Sequence, residues 1–116
     1  MKLRDVATEI VIDARKLTEY ALNPDNPKGT DKAVMFKHHL GFTRENYQLL
    51  LDKIEATALD AEAIIQKQDI HGQRYQVDLE ITGVQPKQKE IVRTAWIIEL
   101  NSTVVRLITL YVRKRK

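Results

Sequence analysis

The chain has 116 residues and a net charge of +3, and 43% of its residues are hydrophobic while 30% are charged. This size and composition predict one globular domain and exclude both a disordered chain and two separate cores. The absence of cysteine excludes disulfide bonds and thiolate chemistry. Because the N-terminus also lacks a continuous apolar stretch, we expect a cytoplasmic protein that does not enter the membrane.

Basic residues are concentrated toward the C-terminus. Residues 91–116 contain six Lys or Arg and one acidic residue, Glu99, whereas residues 1–90 have a net charge of −2. The C-terminal part is therefore the more favourable surface for an anion. We divide the chain into a single domain over residues 1–112 and a basic tail over residues 113–116.

The N-terminal half begins with a segment of ambiguous pattern. Residues 6–12 fit either an edge strand or a helix, and this choice is left open. Asp13 is the predicted N-cap of a short helix that ends at Asn23-Pro24. The stretch that follows is rich in proline, asparagine and glycine and predicts a loop.

Two further helices are predicted after this loop. Thr30 or Asp31 caps the second helix of the chain, and Gly41 ends it, because glycine readily adopts the left-handed conformation at a helix C-terminus. The third helix begins at Thr43. Its apolar stripe predicts that it continues to Ile65.

The C-terminal half changes to the two-residue period of strands. Residues 75–81 alternate between apolar and polar side chains, and residues 91–100 and 103–112 are rich in β-branched residues with a tight turn between them. Such short connections favour antiparallel neighbours. The predicted fold class is therefore α+β, with N-terminal helices packed on a C-terminal antiparallel sheet of three to four strands.

Few side chains can transfer a proton near neutral pH. Histidine does so without a large pKa shift, and the chain has three: His38 and His39 near the end of the second helix, and His71 before the first predicted strand. Each could equally be a solvated, packed or turn residue. His38 and His39 lack the spacing that directs two ligands at one metal ion, and the four glycines form no phosphate-binding loop. No metal or cofactor is expected.

Arginines interrupt two largely apolar strands. A guanidinium such as that of Arg93 or Arg106 can bind a phosphate bidentately and stabilise the charge that develops during phosphoryl transfer. The alternative is an ion pair across the sheet with Asp78 or Glu80.

Strand alternation predicts which side chains surround these arginines. If the strands pair in register, Arg93 shares a face with Thr109 and Tyr111, whereas Arg106 lies on the opposite face from those two residues. Trp96 alternates in phase with apolar residues and is predicted to be part of the core rather than a base-stacking platform. The run Arg113-Lys114-Arg115-Lys116 is either a solvated tail or a nonspecific contact for a polyanion.

Several segments together give the chain a resemblance to a family of small uncharacterised bacterial proteins that is common in cyanobacteria and bears only a domain-of-unknown-function label. They are residues 15–23 (RKLTEYALN), 28–33 (KGTDKA), 40–42 (LGF), 71–75 (HGQRY), 92–98 (VRTAWII) and 106–109 (RLIT). The resemblance spans nearly the whole chain. It implies that the protein is one half of a two-gene module, beside another small protein.

The order of elements has a more distant resemblance to the barnase, EndoU, colicin and RelE type of ribonuclease toxin. That resemblance implies RNA cleavage without a metal, by basic and hydroxyl side chains of the sheet and a residue of the helical half. Lys32 or His38 would supply the helical part. The sheet would supply Arg93, Thr94, Arg106, Thr109 and Tyr111.

The leading hypothesis is a metal-independent ribonuclease toxin held by a small antitoxin-like protein. Arg93 and Arg106 would bind the scissile phosphate, and His38 or Tyr111 would transfer a proton, with Thr109 beside them. The predicted RNA-binding residues are basic: Lys32, Lys37, Arg113, Lys114, Arg115 and Lys116. The rivals are a non-catalytic interaction protein and a nucleic-acid-binding protein, each using the basic sheet. The sequence leaves the oligomeric state open, including a homo-oligomer.

Overall fold

The computed structural model describes residues 1–28 and 30–113. Its helical elements, in chain order, are a 3-10 turn Leu3–Asp5, a short π-helix Lys16–Ala21, helix α1 Thr30–Leu40, a 3-10 turn Arg44–Asn46, helix α2 Tyr47–Thr57 and a 3-10 turn Ala58–Asp60. The strands are β1 Glu9–Val11, β2 Ala63–Asp69, β3 Gly72–Thr82, β4 Lys89–Ile98 and β5 Val104–Val112.

The five strands form one mixed sheet in the order β1-β5-β4-β3-β2. The pairs β2–β3, β3–β4 and β4–β5 are antiparallel, and β1 pairs parallel to β5. The predicted α+β class is confirmed, although the sheet has five strands instead of three to four. Among the described residues, no helix combines the length and hydrophobicity needed to cross a bilayer.

Strand β1 resolves the ambiguous segment near the N-terminus. Glu9, Ile10 and Val11 pair with β5 from Val104 to Arg106, so this part of residues 6–12 is an edge strand. The short apolar run fits both conformations, and pairing with a distant strand decides between them.

The predicted end of the third helix is wrong. Helix α2 ends at Thr57, a 3-10 turn follows, and Ile64 and Ile65 belong to β2. These two isoleucines are 55% and 60% exposed, so they do not continue the buried stripe of the helix. Their pairing with Gln76 and Tyr75 of β3 supersedes the helical pattern.

Helices cover one face of the sheet and enclose the core. The largest core side chain is Trp96 of β4, which is fully buried together with Phe36 of α1 and Ile54 of α2, as predicted. Thr94 is a buried polar residue: its hydroxyl donates to the Val77 carbonyl at 2.6 Å and accepts from Trp96 Nε1 at 2.7 Å. This pair of hydrogen bonds satisfies the indole inside the core.

The opposite face of the sheet, which carries Asp78, Arg93 and Tyr111, is called the open face. Side chains of β4 on this face alternate with buried ones. Gly72 lies against the last residue of β4: a Cβ on Gly72 would be 2.3 Å from the Ile98 carbonyl oxygen. This close approach leaves no room for a side chain at position 72.

Candidate functional site

The candidate site lies on the open face, where β4 meets the C-terminal half of β5. Arg93 is opposite Tyr111 and Ala95 is opposite Thr109, so Arg93, Thr109 and Tyr111 project from the same face. The register shifts between Ala95 and Trp96, and Ile108 is the extra residue of a bulge in β5. The bulge lies directly beside the candidate site.

This bulge also corrects the predicted position of Arg106. Simple alternation puts Arg106 and Tyr111 on opposite faces, but the bulge shifts the phase, so that both Leu107 and Leu110 are buried. Arg106 is opposite Ile97 and therefore projects from the open face as well. A one-residue insertion of this kind is not visible in the hydrophobic pattern.

Arg93 is held by a carboxylate on the neighbouring strand. Its Nε and Nη2 donate to the two oxygens of Asp78 at 2.9 and 3.1 Å, and Arg113 Nη1 donates to Asp78 Oδ2 at 3.1 Å. Hydrogen bonds from Arg93 hold the pKa of Asp78 below its usual value. Hydrogen bonding to Asp78, and to a smaller extent to Tyr111, raises the pKa of Arg93 above its ordinary value. Arg93 is therefore an oriented, permanently charged guanidinium whose Nη1 does not bind Asp78.

Helix α1 contributes a lysine to the same place. Lys32 Nζ donates to Thr109 Oγ1 at 2.9 Å and lies 5.8 Å from the centre of the Tyr111 ring. Beyond Arg106 the outer edge of β5 is no longer paired with β1, so α1 can approach it there. We call the set Lys32, Thr109, Tyr111, Arg93 and Arg113 the basic row. Together with Asp78, this set has a net charge of +2.

Arg106 lies on the open face but at a distance from Arg93. Arg106 lies five positions before Tyr111, the partner of Arg93, which corresponds to about 15 Å along the strand. Its Nε is 3.7 Å from Glu99 Oε1, and both side chains are more than half exposed. Arg93 and Arg106 cannot contact the same phosphate in this arrangement.

His38 is not part of the basic row. It lines a separate cavity of about 310 Å³ together with Lys37 and Arg44. His39 Nδ1 lies 3.9 Å from Glu90 Oε1, and His71 is exposed in the turn between β2 and β3. Lys114, Arg115 and Lys116 of the predicted tail lie outside the described residues.

Three residues that line a groove next to Lys32 were not singled out from the sequence. They are Lys16 and Tyr20 of the π-helix and Lys28 of the following loop. Lys16 and Tyr20 are four positions apart, which places them on one side of a helical turn, and this spacing was an available signal. Within residues 1–28 and 30–113, no group of three or more histidines and carboxylates is arranged to hold a metal ion.

A family model described as "Domain of unknown function (DUF6883)" matches residues 2–114. The chain belongs to the DUF6883 family. No curated protein matches this DUF6883 sequence. Among solved structures, one chain of a "Contact-dependent growth inhibition toxin - immunity protein complex from Klebsiella pneumoniae 342" is similar, with a TM-score of 0.70 and 15% identity over 97% of this chain and 98% of that chain. At this identity the similarity establishes a shared fold.

Proposed function

We propose that this DUF6883 protein is a toxin-like ribonuclease that cleaves RNA in the cytoplasm without a metal ion. The observation that carries the proposal is the basic row. It brings three cations together with a hydroxyl and a phenol at one face of the sheet. A phosphodiester needs cations where charge develops, and the row supplies them.

The reaction we propose is an internal transfer at phosphorus. The 2′ oxygen forms a bond to the adjacent phosphorus, the bond from phosphorus to the 5′ oxygen breaks, and the products are a 2′,3′-cyclic phosphate and a 5′ hydroxyl. The 2′ hydroxyl loses its proton to solvent, and the leaving 5′ oxygen gains a proton from the Tyr111 phenol, which solvent then reprotonates. The phosphate oxygens gain negative charge in the transition state, and in this proposal Arg93 and Lys32 stabilise it.

Asp78 acts in this proposal as a positioning residue. Its two oxygens engage Nε and Nη2 of Arg93, which fixes the plane of the guanidinium and directs Nη1 away from the carboxylate. Tyr111 transfers a proton, and Thr109 holds Lys32 by accepting its hydrogen bond. Lys32 and His38 were the two candidates for the residue that the helical half supplies to the site. We assign this role to Lys32, because His38 lines a different cavity.

The other predicted residues have a secondary role in this proposal. Arg106, Lys37 and the basic residues 114–116 contact phosphates away from the scissile bond, and so does Arg113 at the end of the basic row; these contacts increase affinity without sequence preference. A small antitoxin-like protein with an acidic surface would cover the basic row. Support for such a partner comes from the similar solved structure, which is a toxin–immunity protein complex.

A non-catalytic interaction protein is the second candidate. It is favoured by the bidentate pairing of Arg93 with Asp78 and by the position of His38 outside the row. Under this alternative the row binds the acidic partner and performs no reaction.

The deciding experiment measures RNA cleavage by purified protein in the presence of EDTA. The wild type is compared with Lys32→Met and Tyr111→Phe, and with Lys67→Gln as a control at the opposite edge of the sheet. We expect the wild type and the control to cleave RNA and the two row variants to lose most activity. Production of the protein without its neighbour, the other small protein of the two-gene module, should arrest growth. Wild-type protein that cleaves no RNA and does not slow growth, yet forms a stable complex with its neighbour, would establish the interaction protein instead.

A further inference from the structure

A groove opens directly beside the basic row. Its cavity of about 300 Å³ is lined by Lys16, Tyr20, Lys28, Lys32, Ile108 and Thr109. Lys32 and Thr109 belong both to the groove and to the row, and their 2.9 Å hydrogen bond marks the boundary between them. A polymer bound at the row could continue into this groove without a break.

The groove has the chemistry of a site for an anionic, aromatic ligand. Among the described residues that line it, three are lysines and none is a carboxylate. Ile108, the bulge residue of β5, adds an apolar surface, because a bulged residue leaves the alternation of the strand.

Tyr20 is a half-exposed aromatic residue of the π-helix. The π-helix packs on the core through Leu17 and Ala21, which are buried, whereas the Tyr20 side chain is 49% exposed. A large aromatic side chain exposed beside three lysines can stack on a nucleobase while the lysines contact phosphates.

We infer that this groove binds the nucleotide that flanks the scissile bond in a single-stranded RNA, with its base on Tyr20 and the neighbouring phosphates at Lys16 and Lys28. The inference rests on the proposed function and extends it to the substrate class. The volume is at the lower end of small-ligand sites, so the groove holds one nucleotide. The bases of a duplex are paired and stacked, so a base that stacks on Tyr20 must come from a single strand.

The test separates binding from cleavage by using a ten-nucleotide RNA in which every 2′ hydroxyl is methylated, so that it cannot be cut. Fluorescence anisotropy measures its affinity for the wild type, Tyr20→Leu and Tyr20→Phe. We expect Tyr20→Leu to bind about tenfold more weakly, as loss of one stacked base does. Tyr20→Phe keeps the ring and should bind as the wild type does.

A second pair of variants tests the lysines. The double variant Lys16→Gln/Lys28→Gln should bind more weakly, and the slope of its affinity against salt should be less steep by about 1.4, as expected for two lost contacts to single-stranded phosphates. The control Lys67→Gln/Lys87→Gln removes the same charge from the far edge of the sheet and the loop between β3 and β4. It should leave affinity and slope nearly unchanged.

The outcomes distinguish the groove from the proposed reaction. Groove-dependent binding by a wild type that cuts no RNA would support the groove and refute the ribonuclease. A wild type that cuts RNA but whose Tyr20→Leu and Lys16→Gln/Lys28→Gln variants bind normally would refute the groove alone. The proposed binding site would also be wrong if the control pair weakened RNA binding equally, or if the wild type did not bind the RNA.

Discussion

Lys32 donates a 2.9 Å hydrogen bond to the hydroxyl of Thr109, a residue 77 positions later in the chain. This contact ties α1 to the part of β5 that β1 leaves unpaired. It brings a cation from the helical half to the sheet beside the Tyr111 ring. The two halves of the chain therefore meet at the basic row.

Replacing Lys32 with methionine should remove this cation while keeping the length of the side chain. We expect the kcat of RNA cleavage to fall about 100-fold or more, as when a single group that stabilises a transition-state oxyanion is removed. Thermal unfolding should change little, because Lys32 is only partly buried and its partner is a hydroxyl. Cleavage rates and Tm measured on the same preparations check both parts. A variant with wild-type kcat would show that Lys32 takes no part in the reaction.

Asp78→Asn tests the ion pair that orients Arg93. The pKa of Asp78 is lowered in the folded protein, chiefly by hydrogen bonds from Arg93, so its charged form stabilises the fold. This contribution is fully present above the unfolded pKa of about 4 and is lost as the pH falls through the lowered folded pKa. We expect the wild type to exceed the variant by about 1–2 kcal/mol at pH 7 and the difference to vanish in strong acid.

Urea unfolding between pH 7 and pH 2 measures this difference. Glu80→Gln is the control, because Glu80 pairs with Lys89 at 2.9 Å while both side chains are about 60% exposed. Its effect should be much smaller at every pH. A difference between wild type and Asp78→Asn that persists unchanged at pH 2 would contradict the assignment to the carboxylate.

The sequence predicted the parts of the fold that depend on local signals. Helix α1 begins at Thr30, and Gly41 after its end has a φ of +77°, as the pattern indicates. Burial of Trp96 followed from strand alternation. Strands β1 and β2 were missed or left open, since short apolar segments take their conformation from distant pairing partners.

The candidate site was predictable only in part, for the same reason. Alternation placed Arg93 on the face of Thr109 and Tyr111, and Asp78 was named as its alternative partner. The bulge at Ile108, which brings Arg106 to that face, leaves no mark in composition or period. Whether a helical residue reaches the sheet depends on how α1 packs, which the sequence does not encode locally.

Thr94→Val tests the polar pair inside the core. Valine keeps the shape of threonine but leaves Trp96 Nε1 without its 2.7 Å acceptor and the Val77 carbonyl without its 2.6 Å side-chain donor. Buried groups that lose their hydrogen-bond partners cost about 1–3 kcal/mol. Chemical denaturation should show this loss. Thr82→Val, at an exposed end of β3, should be nearly neutral by comparison.

Gly72→Ala should destabilise the fold by about 2–4 kcal/mol. Gly72 has a φ of +136°, and an added Cβ would lie 2.3 Å from the Ile98 carbonyl oxygen, so backbone strain and a clash act together. Gly41→Ala is the comparison, since its φ is +77° and the nearest atoms are the Val84 side chain at 3.2 Å. Its cost should be about 1–2 kcal/mol. Equal denaturation midpoints for the two variants would contradict this ranking.

The two strand arginines should differ in how they affect cleavage. Arg93 is oriented by Asp78 within the basic row, whereas Arg106 lies about 15 Å along the strand in a loose, exposed pair with Glu99. Arg93→Ala should therefore lower kcat by a factor of about 100–1000, and Arg106→Ala should leave kcat intact while raising KM. The increase in KM should be larger at low salt, because the lost contact is to a phosphate.

Stability has to be controlled in this comparison, because Arg93→Ala also removes the main partner of Asp78. We expect that variant to lose about 1–2 kcal/mol, so kinetics are measured at a temperature where both variants are fully folded by circular dichroism. Arg93→Lys refines the result: a lysine restores the charge but not the bidentate geometry, and should recover only a small part of kcat. Full recovery by lysine would mean that Arg93 supplies charge alone. Equal kcat losses for Arg93→Ala and Arg106→Ala would contradict the division between reacting and flanking phosphates.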